Sequence, residues 1–418
     1  MRKHRFITTL ITALSVAGSG IITSAAGFVY QPVNGSVVYV ENYLVMDSAA
    51  TVPNVTFNLA IEAGSSQGAS GTNSEVFSGN DSSVVSGTPA AGSAVFTKTL
   101  STYTEPQAIE STGTQAKSGK VDPVVLQSGQ KYARAKASLD FSSVQFKEPG
   151  IYRWVVTESN TVSVSPSNAK TGIVTDTDRT RVIDVYVETS GTDGRALAVA
   201  GYVLHNNESN AAVPKAYSQD EPSTKTNGFI NQYVTNDLTI AELVTGNQAS
   251  RDEYFEVNIE ITGGIAGTES NIDLTNADAV TIITGTNTSQ HTNPSKITFD
   301  ENGTARATFW IQGDQSVKIQ GLTNEVSYSV TENDSVLDEK GYSTTVEATG
   351  DTTVTVNGRR LSDTALTADT TVTYTNERLG TIPTGVLTTV LPGLIVICSS
   401  LIVIALKVTA RKREADRM

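Results

Sequence analysis

Two residue types recur at matching places in the chain, an acid and a side-chain amide. Glu158 ends the run YRWVVTE and Glu332 ends the similar run YSVTE, while Asn231 lies in FINQY and Asn376 in YTN. A carboxyl group that burial keeps neutral can donate a hydrogen bond to an amide oxygen and relay protons. At any single position such a Glu is more often solvated and such an Asn more often serves a turn. The paired recurrence favours an acid–amide site in each half of the chain.

A third candidate for chemistry is the motif Ile382-Pro383-Thr384-Gly385. The proline stiffens the backbone before the Thr384 carbonyl, and the glycine leaves room for a nucleophile. Residues 386–406 follow without a charged side chain, which predicts a transmembrane helix, and the basic residues 407–418 predict a cytoplasmic tail. The alternative is an ordinary stop-transfer anchor that carries Pro-Thr-Gly by chance.

The other end of the chain has the features of an export signal. Arg2, Lys3 and Arg5 precede an apolar stretch, and small residues follow at positions 24–26. This order predicts a secretory signal peptide over residues 1–26, with an uncleaved anchor as the alternative. We therefore expect the protein to be exported.

Composition argues against several other functions. The chain has 418 residues with 30 Lys plus Arg and 43 Asp plus Glu, and a net charge of −13 makes nucleic acid an unsuitable partner. One Cys and three His provide neither a zinc site nor a disulfide framework. Asp176 and Asp178 have no third acidic ligand at calcium-loop spacing and are expected in a polar turn. His205 and His291 are expected in loops. We expect no metal, no cofactor and no turnover enzyme.

The candidate residues lie in a sequence whose apolar and polar residues alternate in short runs, which is the pattern of half-buried strands. The clearest runs cover residues 37–40, 55–59, 152–156, 182–187 and 255–259. Turn signals such as Pro149-Gly150 separate them at intervals typical of sandwiches. We predict an all-β protein with two β-sandwich domains in series, residues 27–236 and 237–380. The Gly/Ser-rich residues 64–94 are predicted to form a long mobile loop.

At these residues the sequence resembles a known family. NYLVMDSAATVPNVTFNLAIEAG, GIYRWVVTES, DTDRTRVIDVYV and GFINQY together look like the pilin isopeptide linkage domain of Gram-positive surface proteins. The later run from NDLTIAELVTGNQAS to YTNERLG looks like the second sandwich of two-domain major pilins. Residues 381–385 resemble a sortase sorting signal of the pilin type. The resemblance implies two immunoglobulin-like (Cna-B-type) domains.

The resemblance also implies an internal crosslink in each domain. In that family a Lys on the first strand attacks the side-chain amide of an Asn on the last strand, a buried Glu assists, and ammonia leaves. Both acid–amide pairs match this pattern, but the lysine positions hold Asn42 and Glu242. Neither side chain has an amine. We therefore expect both internal isopeptide bonds to be absent, the alternative being that another lysine folds into range.

The resemblance implies, finally, that a sortase cleaves after Thr384 and joins its carbonyl to an amine of another pilin subunit or of a cell-wall peptide. Lys225 and Lys215 are the candidate acceptors, and Lys225 is preferred because it lies just before Asn231. We predict a pilin subunit of the shaft or the wall-anchored base, held in the membrane before cleavage and in the cell wall after it. The alternative is a monomeric wall-anchored adhesin that presents a face, with residues 64–94 as candidate, to a host or neighbouring-cell ligand.

Overall fold

A computed structural model describes residues 36–69, 74–108, 122–190, 196–206, 225–283, 289–333, 337, 339–350 and 353–381. The predicted all-β fold is confirmed, and each of the five alternating runs lies in a strand. The signal peptide, Lys215, the sorting motif, the segment 386–406 and the basic tail lie outside the described residues. Among the residues that are described, no helix is long and apolar enough to cross a membrane.

The N-terminal part of the chain forms two sheets. Its strands are β1 Val37–Asp47, β2 Val55–Ala63, β3 Val76–Ser78, β4 Val85–Ser86, β5 Ala90–Ala91, β6 Ser93–Phe96, β7 Thr102–Tyr103, β8 Gln130–Asp140, β9 Gln145–Phe146, β10 Gly150–Ser163, β11 Ile173–Val174, β12 Thr180–Ser190, β13 Ala196–His205, β14 Lys225–Thr226 and β15 Gly228–Tyr233. One sheet has the order β11-β15-β1-β8-β5, with β7 also on β8, and the other has the order β14-β13-β12-β10-β2-β6, with β3 on β10. Strands β4 and β9 form a separate pair.

The C-terminal part repeats this arrangement with fewer strands. They are β16 Thr235–Thr245, β17 Phe255–Thr262, β18 Glu269–Asp273, β19 Val280–Ile283, β20 Ser289–Thr292, β21 Lys296–Thr298, β22 Thr304–Ile311, β23 Ser316–Thr323, β24 Ser327–Glu332, β25 Ser343–Thr349, β26 Thr355–Asn357, β27 Arg360–Asp363 and β28 Thr370–Glu377. One sheet has the order β21-β18-β23-β16-β28-β25 and the other the order β22-β17-β24-β27-β26, while β19 and β20 form a separate hairpin.

Alternating side chains build the core between the sheets of each pair. On β17, Phe255, Val257 and Ile259 point inward and are buried, while the residues between them are partly or fully exposed. Trp154 of β10 and Val38 of β1 share one core cluster, which shows that the two N-terminal sheets pack face to face. Burying a large apolar side chain of this kind contributes about 1.5–3 kcal/mol.

In both sheet pairs the first and last long strands are parallel neighbours. Strand β1 pairs in parallel with β15, and β16 pairs in parallel with β28. Strand β15 ends at Tyr233 and β16 begins at Thr235, so the last strand of one sheet pair leads directly into the first strand of the next. The Tyr233 hydroxyl lies 2.7 Å from the Thr323 hydroxyl and joins the two pairs at this junction.

The prediction of a long mobile loop over residues 64–94 is wrong. Apart from residues 70–73, which are not described, this stretch contains β3, β4, β5 and the start of β6, and Val76 and Val85 are buried in it. Its glycines serve packing as well as turns. A Cβ atom on Gly79 would lie only 2.3 Å from Nε1 of Trp154, so the indole requires glycine there. A high Gly and Ser content therefore does not mean flexibility in this stretch.

Candidate functional site

The N-terminal acid–amide residues meet in the core. Asn231 lies opposite Leu44 in the parallel ladder of β1 and β15, and Asn42 lies opposite Phe229. This two-residue offset puts both amides on the same face of the sheet, because side chains two residues apart on a strand share a face. Glu158 reaches them from β10 in the facing sheet, and all three side chains are fully buried.

Hydrogen bonds join these three side chains directly. Oε1 of Glu158 accepts from Nδ2 of Asn42 at 2.8 Å and from Nδ2 of Asn231 at 3.1 Å. The same Nδ2 of Asn231 also donates to Oδ1 of Asn42 at 2.7 Å. Asn42 thus uses both ends of its amide, as donor to the acid and as acceptor from the second amide. An asparagine at this position adds one hydrogen bond to each of its two polar neighbours, although Oε2 of Glu158 is buried without a partner.

The C-terminal site has the same register with one different residue. Asn376 lies opposite Val244 and Glu242 lies opposite Tyr374, in the parallel ladder of β16 and β28. Glu242 therefore has the same position relative to Asn376 as Asn42 has relative to Asn231, two register positions away on the parallel first strand. Glu332 comes from β24 in the facing sheet and completes the site, where all three polar side chains are at most 3% exposed.

Two carboxyl groups surround one amide nitrogen in this second site. Nδ2 of Asn376 donates to Oε1 of Glu242 at 2.7 Å and to Oε1 of Glu332 at 2.5 Å. On the other side of the amide, the Thr344 hydroxyl donates to Oδ1 of Asn376 at 2.5 Å. Thr344 lies on β25 and is the direct ladder partner of Asn376. Nothing in the sequence around Thr344 distinguishes it, because only the strand register brings it to the site.

Burial controls the protonation of the acids. Loss of solvation raises the pKa of Glu158 to about 7, although hydrogen bonds from both asparagines lower it. Burial, followed by the charge of Glu332, raises the pKa of Glu242 well above its usual range. Two carboxylates this close to one another cannot both ionise readily, so the pair keeps a proton at neutral pH. A neutral acid is therefore present at the C-terminal site at neutral pH, whereas Glu158, with a pKa of about 7, is divided between its neutral and ionised forms.

Both acid–amide clusters are buried, whereas no lysine in the described part of the chain is buried. The preferred acceptor, Lys225, lies half-buried on β14, where it pairs in register with His205 of β13. The two positions at which the resemblance implies lysine hold Asn42 and Glu242, neither of which has an amine.

The predicted polar turn at Asp176 hydrogen-bonds to the strand that carries Asn231 of the N-terminal acid–amide site. The backbone NH of Asp176 donates to Oδ1 of Asn231 at 2.8 Å, and its Oδ2 accepts from the backbone NH of Ile230 at 2.9 Å. Arg181 donates to the same carboxylate at 2.7 Å and stacks over the Phe229 ring at 4.6 Å. These contacts fix β15 and orient the Asn231 amide.

The expectation that the two histidines lie in loops is wrong. His205 ends β13 and is buried, with Nε2 3.1 Å from Oδ2 of Asp184, and Arg153 bonds the same carboxylate through two nitrogens at 2.7 and 2.8 Å. His291 lies on β20 and stacks on Trp310 at 4.1 Å between ring centroids. Sequence alone does not show these placements because both depend on pairing between distant strands. Within the described ranges no group of three His, Cys, Asp or Glu residues could hold a metal ion.

Comparisons with known proteins give three kinds of result. A family described as "Domain of unknown function (DUF7601)" matches residues 236–378. No curated protein matches the sequence significantly. Among solved structures, the major pilin from Streptococcus pyogenes is similar at 20% identity and a TM-score of 0.47, with 83% of this chain and 100% of that chain covered.

Two further solved structures are similar at lower levels. The major pilin protein T3.2 from Streptococcus pyogenes serotype GAS13637 has 15% identity and a TM-score of 0.44, over 83% of this chain and 99% of that chain. The pilus-presented adhesin Cpa has 18% identity and a TM-score of 0.25, over 48% of this chain and 37% of that chain. The function of this chain must therefore be argued from its own residues.

Proposed function

We propose that this protein is a sortase-processed pilin subunit of a Gram-positive cell surface, in the shaft or at the wall-anchored base. It is joined to its neighbour through Thr384, and its two sandwiches, residues 27–236 and 237–380, have lost their internal isopeptide bonds. It is a structural protein and not an enzyme. The observation that carries the proposal is the repeated acid–amide site, which joins first and last strands in both sheet pairs.

The repetition of the site supports a common origin for the two sandwiches. Each site combines an Asn on the last strand, a residue two register positions away on the parallel first strand, and a Glu from the facing sheet. Burying such a polar cluster is costly unless every group is paired. A cluster that recurs in two different cores is therefore easier to explain as the retained part of a crosslinking site than as two independent accidents.

The occupants of the lysine position support the loss of the crosslink. Asn42 completes a neutral hydrogen-bond network with Asn231, and Glu242 pairs with the neighbouring acid around Asn376. Both replacements hydrogen-bond to the residues around them, although Oε2 of Glu242 is buried without a partner. Neither can displace ammonia from an amide to form an isopeptide bond.

Polymerisation requires a cleavable end and an acceptor amine. The sequence provides Pro383-Thr384-Gly385, directly before an uncharged segment and a basic tail, and a lysine next to the last strand of the first sandwich. The acyl group of Thr384 would pass to a sortase thiol and then to Lys225 of another subunit or to a cell-wall peptide. The cleavage motif, the uncharged segment and the basic tail together account for retention in the membrane and for covalent transfer to the wall.

Detergent-boiled cell-wall extracts test this function against the alternative of a monomeric adhesin. The adhesin hypothesis took residues 64–94 as a mobile binding loop, whereas β3, β4 and β5 of this stretch are paired with neighbouring strands. A ladder of covalent multimers that disappears in a Thr384→Ala variant is the expected result. A single wall-linked band in the wild type would refute polymerisation and favour the adhesin.

A further inference from the structure

One side chain of the C-terminal sheet pair belongs to the core of the N-terminal pair. Residues 263–268 connect β17 to β18, and we call them the junction loop. Ile265 of this loop is fully buried, in a core cluster that also contains Leu44 of β1 and Phe57 of β2. Every other buried member of that cluster lies within residues 44–233. The N-terminal core is therefore complete only when the C-terminal sheet pair is in place.

Hydrogen bonds fix the junction loop to the N-terminal sheet pair on both sides of this side chain. The backbone NH of Lys170 donates to the Gly263 carbonyl at 2.7 Å. The backbone NH of Ala266 donates to the Ser165 carbonyl, also at 2.7 Å. Nδ2 of Asn54 donates to the Ala266 carbonyl at 2.9 Å. Separating the two sheet pairs would break all three bonds as well as expose an apolar side chain.

The same loop is fixed to its own sheet pair. The backbone NH of Gly264 donates to the Gly303 carbonyl at 3.0 Å, and that of Gly267 donates to the Phe299 carbonyl at 2.8 Å. A Cβ atom on Gly264 would lie 2.3 Å from Cδ1 of Phe299. Gly267 has a φ of +74°, and a Cβ atom there would lie 2.7 Å from Nδ2 of Asn54. Both glycines are needed because the loop runs between two surfaces that leave no room for side chains.

Other contacts at the junction are of two kinds. A Cβ atom on Gly321 of β23 would lie 2.6 Å from Cα of Ala50, so the two backbones approach closely there. Glu269 of β18 forms an ion pair with Lys98 at 2.6 Å, but an exposed pair of this kind contributes little. The buried side chain and the close backbone contacts therefore dominate the junction.

We propose that the junction loop makes the two sandwiches one cooperative unit, with Ile265 as the residue that couples them. Domains joined by small polar contacts move and unfold separately as a rule. Here the N-terminal core cannot open without exposing Ile265, and the junction loop cannot leave without opening that core. The inference does not depend on polymerisation. In a chain without internal crosslinks, it means that neither sandwich opens until contacts in both are broken.

Hydrogen exchange of the full chain in increasing urea, followed peptide by peptide with mass spectrometry, tests the coupling. In the wild type, the amides of β2 and of β17 should lose protection at the same urea midpoint. Ile265→Ala should separate the midpoints, with β2 first, and the β2 amides should exchange at least about tenfold faster than those of β17.

Ile311→Ala is the matched control. It removes the same atoms from a fully buried isoleucine of the C-terminal core. Ile311 is the last residue of β22, at the end away from the junction loop, because the loop bonds to Gly303 just before the strand begins. This variant should lower the two midpoints together and leave them coincident.

Two results would overturn the proposal. One is a wild type whose β2 and β17 amides lose protection at different midpoints. The other is an Ile265→Ala variant whose midpoints stay coincident and shift as they do in Ile311→Ala, because Ile265 would then be an ordinary core residue. If Ile265→Ala does not fold, Ile265→Val should separate the midpoints in the same order, and coincident midpoints there would count equally against the coupling. Neither result changes the multimer ladder, so failure of the coupling and failure of polymerisation are distinguishable.

Discussion

Replacing Asn42 with lysine should restore a crosslink in the N-terminal sandwich. The amide of Asn231 is already within 2.7 Å of the side chain at position 42, and the acid Glu158 already contacts both. The apolar core disfavours a charged ammonium group, so the new lysine should be a neutral nucleophile there. We expect Asn42→Lys to lose one ammonia molecule and form an amide bond to Asn231 without any added enzyme.

The stabilisation follows from the length of the loop that the bond closes. A link between positions 42 and 231 closes about 190 residues, which by the chain-entropy relation for crosslinks is worth about 5 kcal/mol at 25 °C. For a unit of this size each kcal/mol raises the Tm by about 2–4 °C, so the Tm should rise by about 10–20 °C. Strain in the new side chain would reduce this figure, which makes it an upper bound.

Intact mass and thermal unfolding of the full chain measure the two effects together. The double variant Asn42→Lys with Glu158→Gln is the matched control, because it has the same amine without the acid and should keep its full mass. Asn42→Met tests the effect of a longer side chain alone. If Asn42→Lys keeps its full mass while the protein remains folded, the N-terminal cluster is not a crosslinking site that lacks only its amine.

Three further predictions concern other residues. Burial raises the pKa of Glu158 from 4.5 to about 7, so the folded state binds this proton more tightly than the unfolded state does. The free energy of unfolding should therefore fall by about 3 kcal/mol as the pH rises from about 4.5 to about 7. Urea unfolding measures this slope, and the Glu158→Gln variant should lack it. Asp184→Asn should destabilise the protein by about 3–5 kcal/mol in the same assay, because Arg153 would be left buried without its counter-ion; a cost below 1 kcal/mol would contradict this. Lys225→Ala should remove the multimer ladder from wall extracts, whereas Lys215→Ala should leave it intact, and the reverse pattern would reassign the acceptor.

Local pattern predicts the strands and the acid–amide pairs of this protein well. Alternation of apolar and polar residues is a property of each strand alone, so β1 and β17 can be recognised without their partners. The recurrence of a Glu in an inner strand and an Asn in a last strand likewise needs no three-dimensional information. The resemblance to the pilin family points to Asn42 and Glu242, and the parallel ladders give both the same two-residue offset from their asparagines.

Features that depend on pairing between distant segments could not be predicted in this way. Thr344 is one of many threonines in the chain, and only the antiparallel register of β25 and β28 places its hydroxyl against Asn376. His205 and Asp184 become partners because β12 and β13 are neighbours. The strands within residues 64–94 are two to four residues long, too short for an alternating pattern to exceed the Gly and Ser background.

The most direct test of the proposed function is the chemical structure of the junction between subunits. Covalent multimers released from the cell wall by a peptidoglycan hydrolase can be digested and analysed by tandem mass spectrometry. We predict a branched peptide in which the Thr384 carbonyl is bonded to Nζ of Lys225, with residues 385–418 missing. Wall-released chains that are monomeric and have Thr384 bonded only to wall peptide, or chains that retain residues 385–418, would contradict a polymerising pilin subunit.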